Sequence, residues 1–179
     1  MPTVELDPTV GIFMKTEIER KFLVKYPPWT DATPRSRLYQ GYLSCTPESV
    51  VRVRADDLNK QAWITVKGPT QGYTRLEYEY EIPWSDSLVL RTLCRHDIVK
   101  TRYLVTYMDQ TWHVDEFHAE NTGLVTAELE LGDEAEVWVP PPWLGAEVSH
   151  DERYFNNNLS TNPWRHFLNP PTPPTLDQA

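Results

Sequence analysis

The chain has 179 residues, 40% of them hydrophobic and 24% charged, with a formal net charge of -9 at pH 7, a composition that fits one globular domain able to bury a core or to wrap a sheet around a cavity. The acidic balance argues against a protein that coats DNA or RNA, which needs an outward excess of Lys and Arg, but it leaves room for an anionic ligand in an interior site where charges are sorted. Two cysteines, Cys45 and Cys94, are too few for a disulfide framework or a thiolate metal site and read as small buried hydrophobes; no apolar run reaches the length of a membrane span.

Residues 1–13 carry Pro2 and Pro8 without a clear period and read as a flexible extension. The start MPTVELDPTV lacks the basic-then-apolar layout of a secretory signal, so the cytoplasm is the expected location. One domain is expected over residues 14–168, followed by a Pro-rich disordered tail at 169–179. Within that domain, period-two segments predict eight strands at 15–24, 38–44, 50–56, 61–67, 73–82, 98–106, 111–118 and 124–131. Short connections such as TPES, DDLN, GPTQG and MDQ favour antiparallel hairpins. One connection, SDSLVLRTLCRH, reads as a helix with Ser85 or Asp86 as N-cap and Leu88, Leu90 and Leu93 as its apolar face. Shorter helices are expected near GDEAEVWV, before Pro140 to Pro142, and near SHDERYFNNNLS. The seven tryptophans read as packing residues at the rim and under the helices. The fold class is mainly β, an α+β fold with a few flanking helices, and the strands alone allow a sandwich or a closed barrel.

Along these strands the polar positions are nearly all ionisable. The ladders are Glu17, Glu19 and Lys21; Arg52 and Arg54; Thr65 and Lys67; Arg75, Glu77, Glu79 and Glu81; Lys100 and Arg102; Asp115; and Glu128 and Glu130. The opposite positions, among them Ile18, Phe22, Val53, Ile64, Tyr103, Val114 and Leu129, would make an apolar layer. Any single ladder reads as a solvated exterior. Taken together they are sorted by sign, basic pairs on some strands and acidic pairs on others, whereas surfaces built for stability intersperse the signs. If the charged faces line a closed eight-stranded barrel, its lumen suits one small ligand. Carboxylate pairs there invite Mg2+ or Mn2+, and the Lys and Arg residues invite a polyphosphate.

Other motifs are missing. There is no GxxxxGK[ST] loop, no GxGxxG fingerprint and no GxSxG elbow, and the histidines lack a metal-ligand spacing.

The segment TEIERKFLV resembles the ExExK signature of the CYTH domain, the triphosphate tunnel metalloenzyme superfamily. The likeness continues in order through YQGYL, VRVR, WITVKGPTQGYTRLEYEYEIP, IVKTRYLV, WHVDEF, AELEL and PPPWLGAEVSHDERYFNNNLS, over about residues 14–160. It is nearest to the short single-domain bacterial members, some of them inorganic triphosphatases. What the resemblance implies is a closed eight-stranded antiparallel β-barrel tunnel that takes a triphosphate inside and requires Mg2+ or Mn2+. It implies metal binding by Glu17, Glu19, Glu128 and Glu130, and phosphate binding by Lys21, Arg52, Arg54, Lys67, Arg75, Lys100, Arg102 and Arg153. Glu77, Glu79 and Asp115 would orient the basic groups or assist the second metal and the water, and with Glu17, Glu19 and Lys21 they complete the implied catalytic set.

Two positions depart from the family pattern: Phe155 stands in RYFN where short members usually carry Lys, and His113 stands where they carry an acid. Both bear on substrate choice. The expected activity is hydrolysis of a small triphosphate, inorganic tripolyphosphate first among the substrates. A class IV-like adenylate cyclase, a thiamine or nucleoside triphosphatase, and a non-catalytic nucleotide- or polyphosphate-binding module are the alternatives. No nucleic-acid polymer or membrane is implied as a partner, and a homodimer is the ordinary soluble assembly. Arg20, between Glu19 and Lys21, has no role in this reading.

Overall fold

The structure, a computed structural model, describes residues 16–28, 34–69, 74–133 and 135–168, with backbone alone for Thr16, Glu17, Pro34, Arg35, Thr74, Arg75 and Leu168. The expectations for residues 1–13 and 169–179 lie outside the described residues. The alternating segments form β1 (Thr16–Val24), β2 (Pro34–Cys45), β3 (Val50–Asp56), β4 (Gln61–Lys67), β5 (Thr74–Ile82), β6 (His96–Tyr107), β7 (Gln110–Phe117) and β8 (Val125–Glu130). Their spatial order is β5-β4-β3-β2-β6-β7-β8-β1. A further strand, β9 (Leu144–Glu147), was not expected, because four residues of WLGAE show no alternation long enough to read.

β9 changes how the ring shuts. One edge of β1 pairs with β8 from Glu19 to Leu23. The other edge is divided: β5 takes Thr16 to Ile18, opposite Leu76, Arg75 and Thr74, and β9 takes Phe22 and Val24. The expected closed eight-stranded barrel is therefore corrected to a nine-stranded sheet whose ends meet along a three-residue seam and then part. Gly145 lets β9 lie against β1, since a Cβ there would sit 2.8 Å from the Leu23 carbonyl oxygen.

Turn chemistry sets the register of the walls. Between β3 and β4 the Asp56 carboxylate accepts from the backbone N–H groups of Leu58 and Asn59 and from Asn59 Nδ2. Between β6 and β7, Met108 and Asp109 both have positive φ, 47° and 65°, the two-residue turn that matches strand twist.

Apolar residues pack in two places. Outside the wall, Phe22, Trp112, Val114, Ala127 and Leu129 are covered by Trp138, Trp143 and Leu144. The segment before β9, and not the helices, covers them. Trp112 meets Phe22, Trp138 and Trp143 edge to face, with centroids 5.4 to 5.9 Å apart. A second cluster joins Ile98 and Phe117, at the ends of the inward faces of β6 and β7, to Leu124, Val148, Tyr154 and Leu159. It packs the segment that follows β9 against the β6 and β7 side of the wall. Tyr154 comes from a 3-10 turn at Glu152–Tyr154 and Leu159 from α2 (Asn156–Thr161), as SHDERYFNNNLS suggested. An unforeseen α3 (Trp164–Leu168) follows, pinned where Trp164 N–H donates to Asn121 Oδ1.

Other expectations are corrected. α1 (Trp84–Arg91) begins earlier than Ser85 or Asp86, after Pro83 and without a side-chain cap, because proline fixes the entering backbone. Its leucines do not face a core: Leu88 and Leu93 are exposed, while Ser87 is buried and donates to the Trp84 carbonyl. GDEAEVWV forms turns and extended chain among its described residues, because Asp133 Oδ1 accepts from Ala135 N–H and Glu136 Oε2 from Gly132 N–H, closing one short turn before Trp138 is drawn to the wall. Cys45 is exposed at the end of β2, and Cys94 is half-buried beside Gly41.

Candidate active site

Strand parity sends every other side chain into the ring. Lys21, Arg52, Lys67, Lys100 and Glu128 are each less than a tenth exposed, which an outward face would not allow for such groups. They surround one cavity of about 460 Å3.

On the β1, β6, β7 and β8 side, cross-strand register stacks opposite charges. Lys21 stands opposite Glu128, with Nζ 2.9 Å from Oε1. Arg102 donates from Nη2 to Glu128 Oε2 at 2.7 Å, and its fork spans Asp115 at 2.7 and 2.8 Å. Lys100 Nζ donates to Asp115 Oδ2 at 2.5 Å. Asp115 is fully buried behind the cavity lining, so it holds the two cations and does not face the lumen.

The β3, β4 and β5 side repeats the scheme. Lys67 donates to Glu77 at 2.6 Å and Arg54 to Glu79 at 2.6 Å. Arg52 donates to Thr65 Oγ1 at 3.1 Å and to Glu79 at 3.4 Å. Thr65 in turn donates to Glu79 Oε2 at 2.8 Å. Both acids line the cavity beside the cations they orient.

These contacts shift how readily the buried groups ionise. Burial raises the Glu128 carboxyl, but Lys21, Lys100 and Arg102 overcome that and hold it well below the ordinary carboxylate value. Asp115 is likewise lowered, Arg102 and Lys100 outweighing burial. Burial acts to lower Lys21, yet Glu128 and Glu19 leave it raised. Lys100 is lowered, because burial, with Arg102 beside it, outweighs the attraction of Asp115 and Glu128.

Glu19 and Glu130 stand directly opposite each other on β1 and β8 and both line the cavity. The Glu130 side chain is 60% exposed, which puts this pair at the open end, with His113 Nδ1 3.8 Å away. Among the described residues no three His, Cys, Asp or Glu side chains already converge as a metal site. Glu128 is engaged by Lys21 and Arg102. Glu17 and Arg75 are cross-strand partners at the seam, and their side chains lie outside the described residues.

Among the sequence-predicted residues whose side chains are described, Asp115 lies behind the lining and Arg153 lies apart from the cavity. Arg153 is exposed and forks onto Asp151, with Nη2 2.5 Å from Oδ2. Phe155 lines the cavity, whereas His113 lies beside Arg102 Nη1 at 3.2 Å. Arg20 gains a role: it forks onto Glu147 of β9 and lies over the Trp138 ring at 4.9 Å, clamping the outer cluster to the wall. Sequence reasoning missed Leu38, Gln40, Tyr42, Ser149, Asn156 and Asn157, all of which line the cavity. The alternation in RLYQGYL was a usable signal for the first three, but neutral residues do not stand out in a search for charge.

A CYTH domain family model matches residues 15–160. An inorganic triphosphatase of Acetivibrio thermocellus is 43% identical over 156 residues, covering 86% of this chain and 99% of that one. An inorganic triphosphatase of Nitrosomonas europaea is 36% identical over 151 residues, covering 81% and 97%. A crystal structure of an inorganic triphosphatase aligns with a TM-score of 0.61 at 33% identity, over 80% of this chain and 93% of that chain. A putative adenylyl cyclase from Hippeastrum, described as revealing a dominant triphosphatase activity, shares the fold with a TM-score of 0.51 at 14% identity, over 65% and 80%.

Proposed function

The chain belongs to the CYTH domain family, and from that premise we propose that it hydrolyses a triphosphate, inorganic tripolyphosphate foremost, with a divalent metal ion inside its charged cavity. The observation that carries the reading is the cavity itself. A protein of net charge -9 gathers Lys21, Arg52, Arg54, Lys67, Lys100 and Arg102 around one cavity.

The chemistry follows from charge. A triphosphate bears about four negative charges near neutral pH and repels a nucleophile, so neutralisation and alignment are what a catalyst must supply. The Lys and Arg side chains take the phosphoryl oxygens, with Arg75 of β5 joining them. Glu77 and Glu79 hold Lys67, Arg52 and Arg54 in place, as Asp115 holds Lys100 and Arg102. Arg153 joins only after it releases Asp151.

Glu17, Glu19, Glu128 and Glu130 would hold Mg2+ or Mn2+. Their oxygens are the hard donors these ions take, and the register sets Glu19 directly opposite Glu130 at the open end. When bound, such an ion neutralises phosphate charge and supplies a water of lowered pKa.

The test is a phosphate-release screen over tripolyphosphate, thiamine triphosphate and nucleoside triphosphates, with Mg2+ or Mn2+ and with EDTA. Orthophosphate from tripolyphosphate, abolished by EDTA, is expected. Cyclic AMP from ATP and Mn2+ would replace the hydrolase with a cyclase. Tight binding without turnover under either metal would leave a binding module.

A further inference from the structure

Arg52, Thr65 and Glu79 form one row across three strands, with Thr65 opposite Arg52 on β3 and opposite Glu79 on β5. Thr65 is fully buried behind the two charged groups, and those two line the cavity. Its hydroxyl accepts from Arg52 Nη2 at 3.1 Å and donates to Glu79 Oε2 at 2.8 Å. A hydroxyl has one hydrogen. With that hydrogen committed to Glu79, only the lone pairs of the oxygen face Arg52, so the relay runs in one direction.

The relay governs how closely Arg52 pairs with acids. Of the three described arginines that line the cavity, Arg54 reaches a carboxylate oxygen at 2.6 Å and Arg102 at 2.7 Å, whereas Arg52 meets Glu79 at 3.4 Å and Glu77 at 3.7 Å. Strong pairs of this kind close to about 2.7–2.9 Å and are often two-pronged. On the opposite wall Arg102 forms such a fork with Asp115. Arg52 has two acids within reach and closes on neither, because a neutral oxygen takes the N–H that either acid would take.

Resting on the triphosphate reading, we propose that Thr65 is a positioning residue: it keeps the Arg52 guanidinium off Glu79, so that Arg52 is the cavity arginine whose charge is least committed to carboxylates and most available to a phosphoryl group. Thr65 itself touches no substrate. Its bond to Glu79 strengthens the oxygen as an acceptor, and it acts on the ligand through Arg52 alone.

The test compares wild type, Thr65→Val, Thr65→Ser, Arg52→Met and the double variant of Thr65→Val with Arg52→Met. Each is read by calorimetric titration with inorganic tripolyphosphate, by steady-state hydrolysis and by thermal melting. Thr65→Val is close in size but lacks the hydroxyl, and lets Arg52 close on Glu79. It is expected to raise Kd and KM about tenfold, with kcat within about threefold. Thr65→Ser restores the hydroxyl and is expected to bind within about twofold of wild type. In the Arg52→Met background, Thr65→Val is expected to change kcat/KM by less than about twofold, because the group it acts through is gone. A merely structural threonine would weaken the enzyme equally with and without Arg52, and that outcome overturns the proposal. So does a Kd for Thr65→Val within about twofold of wild type, or a Thr65→Ser no better than Thr65→Val. Should Thr65→Val fail to fold, Thr65→Ala carries the same comparisons with the same overturning results. Wild type that binds tripolyphosphate without hydrolysing it sinks the hydrolase reading alone, and the Kd values of Thr65→Val and Thr65→Ser still decide on Thr65. No binding by wild type sinks both.

Discussion

Lys21 and Glu128 face each other across β1 and β8, Nζ to Oε1 2.9 Å, each with a side chain less than a tenth exposed. A pair this deep gains Coulomb energy but loses hydration on both sides, so its worth shows when one member is removed. Glu128→Leu leaves Lys21 and Arg102 buried without this counter-charge, and the unfolding free energy is expected to fall by about 3–5 kcal/mol. Adding Lys21→Met is expected to return part of that loss in urea denaturation. Losses that simply add would show that the pair is uncoupled.

Arg54 offers a cleaner test of phosphate gripping, because its side chain is 23% exposed and less of the fold depends on it than on Arg102. Arg54→Met is expected to reduce kcat/KM for tripolyphosphate by about a hundredfold while the melting temperature stays within a few degrees. An unchanged kcat/KM would remove Arg54 from the phosphate-binding set.

The outer clamp predicts an acid response. Hydrogen bonding by Arg20, aided by Ser149, holds the Glu147 carboxyl below its ordinary value. A group depressed in the folded state contributes stability above its unfolded pKa, about 4.3, and loses it as pH falls through the folded value. Wild type should therefore exceed Glu147→Gln in stability at neutral pH, with the difference closing as the pH is lowered below about 4. Paired urea titrations across that range measure it, and a gap that widens on acidification would contradict the assignment.

Gly145→Ala tests the approach of β9 to β1. With a Cβ 2.8 Å from the Leu23 carbonyl oxygen, backbone must yield, and a loss of about 1–3 kcal/mol is expected. Thermal melting with little change would mean that β9 gives way freely.

The charge ladders made the walls legible before any coordinates. Alternation fixed which side chains share a face, and sorting by sign suggested which face is inward, as the burial of Lys100 and Glu128 bears out. What stayed hidden depends on distant contacts. β9 exists because Phe22 and Val24 offer it an edge, and no local pattern in WLGAE announces that. Arg20 looked idle because its partner, Glu147, lies on the same unread strand. GDEAEVWV has helix-forming residues, but the side chains of Asp133 and Glu136 close a turn on neighbouring backbone first. The neutral lining residues Gln40 and Tyr42 carry no charge by which to pick them out.

The divided edge of β1 also has a kinetic meaning. The strand nearest the beginning of the chain is joined to β8 and β9, so that Lys21 N–H donates to Ser149 Oγ across 128 residues of sequence. Hairpins such as β3–β4 and β6–β7 can form from neighbouring residues, but β1 must wait for partners far along the chain. We expect its amides to gain hydrogen-exchange protection last during refolding, so that the carboxylates it carries are brought into the cavity only in the final step.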